Sequence, residues 1–156
     1  MPVITTCVHG NAFYSEQRVA PDAFDLDKRP ILGNLVVDPG SPHGGGRSFS
    51  VGGWYHVPIP VVTGYDGQPM FLEEVLILLD ASRMTFTSAS MWIAGRSVWT
   101  GGPSVSNYSN LLFRPRDGEG RRIHMNSGFG VSLHFASAEG GVVTFHSASA
   151  TLQTSR

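Results

Sequence analysis

Three histidines stand where their neighbours would let an imidazole do chemistry. His56 lies in the run Gly53-Trp54-Tyr55-His56-Val57-Pro58-Ile59-Pro60, with aromatic residues before it and prolines after it. Imidazole titrates near neutral pH, so a histidine packed among aromatics can serve as a general acid or base. Catalysis would also need a group that orients the ring. Asp66 or Glu73 would supply one if the segments 54–62 and 70–79 formed a hairpin. Without such a partner, His56 is a half-buried histidine bonded to backbone. Trp54, Tyr55 and His56 are therefore candidate ligand contacts, and His56 is the one candidate catalytic residue.

His134 and His146 are the other two. Phe129, Val131, Leu133 and Phe135 alternate with Gly130, Ser132, His134 and Ala136, and Val143 and Phe145 continue the pattern after Ala138-Glu139-Gly140. A three-residue loop with Gly140 at positive φ would keep both apolar sets on one face. It predicts a hairpin that pairs Leu133 with Phe145 and His134 with Thr144. Ser132, His134, Thr144 and His146 would then share the polar face, either with both imidazoles in reach of one ligand or as a solvent-facing or interface surface whose histidines do no chemistry. A zinc site needs at least one more ligand, and no glutamate or cysteine fits the pattern, so no metal is expected.

Other motifs carry less. The stretch Gly40-Ser41-Pro42-His43-Gly44-Gly45-Gly46-Arg47-Ser48 lacks the Gly-Lys-Ser/Thr ending of a phosphate loop, and no helix is expected after it. Asp22, Asp25 and Asp27 do not have the spacing of an EF-hand. Arg114, Arg116, Arg121 and Arg122, interrupted by Asp117 and Glu119, would suit a carboxylate or phosphate, or form a solvated loop. No Gly-x-Ser-x-Gly elbow occurs. Cys7 and His9 share a strand face, but proximity alone does not activate a thiol.

The elements that must position these residues read as strands. Val3 to His9 is β-branched enough for a first strand. In the run from Trp54, alternation sends Tyr55, Val57, Ile59 and Val61 to an apolar face and Trp54, His56, Pro58 and Pro60 to the other. Pro58 and Pro60 delete backbone donors from the same side, which places this strand at a sheet edge or a bulge. Asp66-Gly67 supplies turn chemistry. Met70 to Asp80 has a helical stripe of leucines, yet its near-continuous apolar run between strand-like segments favours a strand buried on both faces. Arg83 to Ala94 is rich in β-formers. The stretches 15–46 and 101–120 read as long loops, the first with a short strand near 31–37.

Composition sets the outer bounds. A chain of 156 residues with 41% hydrophobic and 15% charged residues suits one folded domain, 1–156. Its 19 glycines and 10 prolines suit short strands and turns. A formal net charge of −1 offers no reason to invoke nucleic acid or an anionic membrane, and no apolar run is long enough to span a bilayer. The single cysteine and the absence of a signal-peptide pattern predict a cytoplasmic location.

The run Trp54-Tyr55-His56-Val57-Pro58-Ile59-Pro60 resembles the aromatic-His-x-x-Ile-Pro segment of a family of small uncharacterised bacterial and fungal all-β proteins. Further similar landmarks follow in order: Val8-His9-Gly10, the hydrophobic strand Val75 to Leu79, Gly128-Phe129-Gly130-Val131-Ser132, and Val143-Thr144-Phe145-His146-Ser147-Ala148. The resemblance implies a single all-β domain of unknown function and brings no catalytic residues with it.

The expectation is an antiparallel two-sheet β-sandwich with jelly-roll-like connections, or a small closed β-barrel. Missing catalytic constellations favour a noncatalytic binding or self-assembling module that uses sheet faces and loops. The alternative is a small β-barrel enzyme (a lyase, isomerase or cyclase) with an apolar pocket around His56. Expected partners are a second copy of the chain and a small molecule or glycan, with no cofactor.

Overall fold

The computed structural model describes residues 1–15, 34–36, 46–50, 52–106 and 109–155. Among them there is no α-helix, and every strand pair is antiparallel. The chain runs through β1 (Val3–His9), a 3-10 turn (Gly10–Ala12), β2 (Tyr14–Ser15), β3 (Asn34–Val36), β4 (Gly46–Phe49), β5 (Gly53–Ile59) and β6 (Gly64–Tyr65). It continues through β7 (Gln68–Ile93), β8 (Arg96–Gly101), β9 (Val105–Ser106), β10 (Asn110–Phe113), β11 (Ile123–Met125) and β12 (Phe129–Thr154).

The scaffold is a ribbon of two long strands. β7 and β12 are each 26 residues and pair along their length, from Phe129 opposite Ile93 to Thr154 opposite Met70. The ribbon belongs to two layers. In sheet I its Ile93–Phe129 end lies between β5 and β8, with β2 beyond β5. In sheet II the other half is flanked by β1 and β4 on the β12 side and by β10 and β11 on the β7 side. Ring contacts join the layers: Tyr55 of β5 lies 5.4 Å from Phe145, and Trp99 of β8 lies 5.9 Å from Phe113 of β10. Phe13 stacks on Phe145 at 4.1 Å. The result is a jelly-roll-like β-sandwich, as expected. Among the described residues its end strands β2 and β9 do not pair with each other, so the sheet is open rather than a closed barrel.

Local chemistry accounts for the turns. Asp66 and Gly67 both take positive φ, 48° and 71°, as a two-residue hairpin between β6 and β7 requires. Met70 to Asp80 is strand, not helix. β5 buries Tyr55, Val57 and Ile59, with Pro58 exposed on the opposite face. β12 flanks β5 throughout, whereas among the described residues the other side is paired only at Tyr55 and His56, by β2. The Pro58 end of the strand is thus an open edge, as its missing donor demands.

Two expectations are corrected. The predicted hairpin at Ala138-Glu139-Gly140 does not form. Leu133 pairs with Tyr55 and Ala89, and Phe145 pairs with Leu79 and Arg47, because both segments lie on the same long partner, β7. Gly140 does take positive φ (71°), but within a bulge. Between the Ser137–Met84 and Val142–Ser82 pairs, β12 carries residues 138–141 and β7 carries only Arg83, itself at φ 53°. The core face is as expected, since Leu133, Phe135, Val143 and Phe145 are all buried. The second correction is that the stretch 101–120 contains β9 and β10, with Leu111 and Phe113 in the core. Asp22, Asp25, Asp27 and residues 40–45 of the glycine-rich loop lie outside the described residues.

Candidate functional site

The strand registers assemble one row of side chains straight across the outer face of sheet I. Tyr14 pairs with His56, His56 with Ser132, Ser132 with Ser90, and Ser90 with Thr100, so five strands each contribute one residue. Cross-strand neighbours on one face lie about 5 Å apart, close enough for direct contact. His56 Nδ1 and Ser132 Oγ are hydrogen-bonded at 2.7 Å, Ser90 and Thr100 share a hydroxyl bond at 3.2 Å, and the Tyr14 ring sits 5.2 Å from that of His56.

Two further rows flank it. On one side Trp54, His134 and Ser88 are opposed, with the Trp54 and His134 rings edge-to-face at 5.0 Å. A bulge leaves Thr87 without an opposite number, and its hydroxyl bonds both Nδ1 (2.6 Å) and the carbonyl (3.1 Å) of His134. On the other side Pro58, Gly130 and Trp92 are opposed. Gly130 has no side chain, so the row has a gap between a proline ring and an indole that is 38% exposed. That gap forms a depression of about 260 Å³, lined by Tyr14, His56, Val57, Pro58, Trp92, Gly130, Val131 and Ser132.

Of the five residues that the sequence nominates as ligand contacts, the structure brings Trp54, His56 and His134 onto this one surface, although the hairpin meant to join His134 to His146 is absent. The other two go elsewhere. Tyr55 is fully buried against Phe49, Phe135 and Phe145, and burial pushes its phenol up to about 12. His146 occupies a bulge in sheet II, between the Phe145–Leu79 and Ser147–Leu78 pairs, where it is buried and its Nε2 lies 2.7 Å from Asp80 Oδ2. Tyr14, Ser132, Trp92 and Gly130 are not among the sequence nominees. The alternation Gly130, Ser132, His134 carries part of that signal, but their pairing with β5 is non-local.

The carboxylates named as orienting partners for His56 are both engaged away from it. Asp66 is in the β6–β7 turn, and Glu73 bonds Arg116 (3.2 Å) and Arg122 (2.9 Å). Among the described residues no three His, Cys, Asp or Glu side chains converge to hold a metal ion.

A second, larger depression of about 560 Å³ lies at the margin of sheet II, lined by Phe71, Val98, Asp117, Arg121, Arg122, Ile123 and His124. Its cations are already matched. Arg121 pairs with Asp117 at 2.9 Å and Glu119 at 2.7 Å, while Arg122 pairs with Glu73 and lies 5.1 Å over the Phe71 ring. The Arg121 backbone N–H and guanidinium, with the Glu119 N–H, hold the Asp117 carboxyl below its ordinary value. An arriving anion would have to displace those partners, so the sheet I face is the better candidate.

No family model matches this chain, and no curated protein matches it in sequence. Among solved structures it is similar to the CBM36-1 domain of a multidomain xylanase from the hindgut metagenome of Trinervitermes trinervoides. That match has a TM-score of 0.49 and 9% identity, over 94% of this chain and 96% of the other. It is also similar to a CBM36 carbohydrate-binding module in complex with calcium and xylotriose, with a TM-score of 0.46 and 8% identity over 96% and 99% of the two chains. At such identities no residue of either protein carries over to this one.

Proposed function

We propose that this chain is a noncatalytic binding module that takes a neutral, polyhydroxylated ligand such as a glycan on the outer face of sheet I. The observation that carries this reading is the depression at Gly130, walled by Trp92 and Pro58 and floored by the hydrogen-bonded His56–Ser132 pair. An indole and a proline ring suit the C–H face of a sugar, and hydroxyl and imidazole groups suit its hydroxyls. Among the described residues no acidic or basic side chain other than His56 lines the depression, so they offer a charged ligand no counter-ion.

The enzyme reading has less support. It needs an enclosed apolar pocket with His56 in its wall, whereas His56 faces an open depression outside a filled core. Ser132 beside His56 matches an acyl-transfer pair only in composition. It lies mid-strand between β5 and β7, where paired backbone amides cannot serve as an oxyanion hole.

Titration with neutral oligosaccharides, followed by the fluorescence of Trp92 and Trp54 and by calorimetry, tests the proposal. Saturable binding that weakens about 10- to 100-fold in His56→Ala supports it. Absence of binding across neutral glycans, or turnover of an ester that disappears in Ser132→Ala, would overturn it.

A further inference from the structure

The edges of this sandwich are unequal, and among the described residues β1 has the least protected one. It pairs with β12 from Val3 opposite Gln153 to His9 opposite Ser147, and no described strand pairs with its other side. None of its seven residues is buried. Val3, Thr5, Cys7 and His9 are exposed, and even the inward-facing Ile4, Thr6 and Val8 are only half-buried, although Ile4 and Val8 pack on the core. Met1 (57% exposed) and Val3 (58%) add apolar surface at its start.

Open edges are normally blunted by charge, proline, bulges or brevity. β5 has Pro58, β8 begins with Arg96, and β2 and β9 have two residues each. β1 has none of these devices. Its register with β12 is unbroken, and no Asp, Glu, Lys, Arg or internal proline interrupts Val-Ile-Thr-Thr-Cys-Val-His.

We propose that β1 is a self-association edge, on which a second copy of this chain adds its own β1 antiparallel about a two-fold axis. An antiparallel edge is complementary to itself under that symmetry, since each copy presents the same donors and acceptors in reverse order. The absence of charge removes the repulsion that would oppose two copies, and it offers nothing to select an oppositely charged partner of another kind. Pairing also covers the half-exposed Ile4 and Val8. The strand is about 24 Å long, so the interface is smaller than the roughly 1,200 Å² typical of tight complexes. The dimer should therefore be weak, with a Kd of about 10 to 500 µM. It leaves the sheet I face uncovered, so this proposal stands or falls separately from the binding reading.

The test is sedimentation velocity of the full chain over a concentration series that spans that range, with a charge swap at Thr5. Thr5 is exposed, lies one residue from the centre of the strand and faces the same side in both copies, so with the strand fully paired it stands opposite Cys7 and diagonal to its twin, near enough for like charges to repel. Wild type should pass from monomer to dimer. Thr5→Lys and Thr5→Glu, each checked for an unchanged melting transition, should associate at least tenfold more weakly. An equimolar mixture of the two should recover the dimer, and His56→Ala should dimerise normally. A wild-type chain that stays monomeric throughout, a Thr5→Lys chain that dimerises like wild type, or a mixture that fails to recover would overturn the proposal.

Discussion

The two outer faces of the sandwich are built from the same pair of long strands and have opposite chemistry. The sheet I face collects Trp54, His56, His134, Ser132 and Trp92, with a gap at Gly130. The sheet II side carries a cluster of charges matched to one another: Glu73 to Arg116 and Arg122, and Glu74 to Arg114 at 3.7 Å. These ion pairs fasten the segment after β10 onto β7. On the sheet II side the charges are engaged in attachment and line the larger depression, whereas the depression on the sheet I face has no Asp, Glu, Lys or Arg among its described lining residues.

The two faces depend most on the joint between the layers. Gly46 of β4 and Gly10 of the 3-10 turn both press on the backbone at Phe145, and a Cβ at either position would overlap the Phe145 carbonyl oxygen. Backbone cannot swing aside as a flexible side chain can. Gly46→Ala should therefore lower stability by about 3 kcal/mol or more in urea denaturation and disturb both faces together. A variant of wild-type stability would show that the two sheets are less tightly joined than the contact implies.

Alkaline pH should act next, from beneath the sheet I face. Tyr55 points inward from the strand that presents Trp54 and His56 outward, and its phenol is raised by burial from 10.0 to about 12. The folded state thus favours the neutral phenol. That contribution is present in full below pH 10 and is lost as pH rises through about 12. The difference corresponds to about 3 kcal/mol. In denaturant melts from pH 9 to 12, wild type should lose stability steeply. Tyr55→Phe should be flatter, after a loss of about 1 kcal/mol at neutral pH. Parallel curves for the two proteins would mean that Tyr55 is not the group responsible.

Much of this architecture was legible locally. β1 spans the residues that β-branched composition indicates, and the alternation of Tyr55, Val57 and Ile59 against Trp54, His56 and Pro58 is the observed inside and outside of β5. What was not legible depends on distant partners. A glycine at positive φ suits a hairpin and a bulge equally well, so Gly140 alone could not reveal that 129–137 and 142–154 both run along β7. Bulges also release single residues from the two-residue period. Thr87, Glu73 and His146 each sit at one, bonded respectively to His134, to two arginines and to Asp80. The Tyr14–His56–Ser132 row joins three strands remote in sequence, and its register is set by the whole sheet.

Two substitutions, one on each face, should have opposite consequences. Gly130 has no positive φ, and a Cβ there would meet only the Val57 carbonyl oxygen at an ordinary 3.6 Å. A Cβ is therefore allowed at this position and strand propensity favours valine, so Gly130→Val should leave stability unchanged or raise it by about 0.5 kcal/mol. Its branches would fill the space between Pro58 and Trp92, so glycan affinity should fall at least tenfold by calorimetry. Arg122→Ala on the other face removes one arm of the Glu73 clamp and the cover over Phe71. Because that pair is partly exposed, it should cost at most about 1 kcal/mol. Binding should not change. If Gly130→Val bound as well as wild type while Arg122→Ala bound poorly, the ligand would sit in the larger depression beside Phe71, and the assignment of the two faces would have to be exchanged.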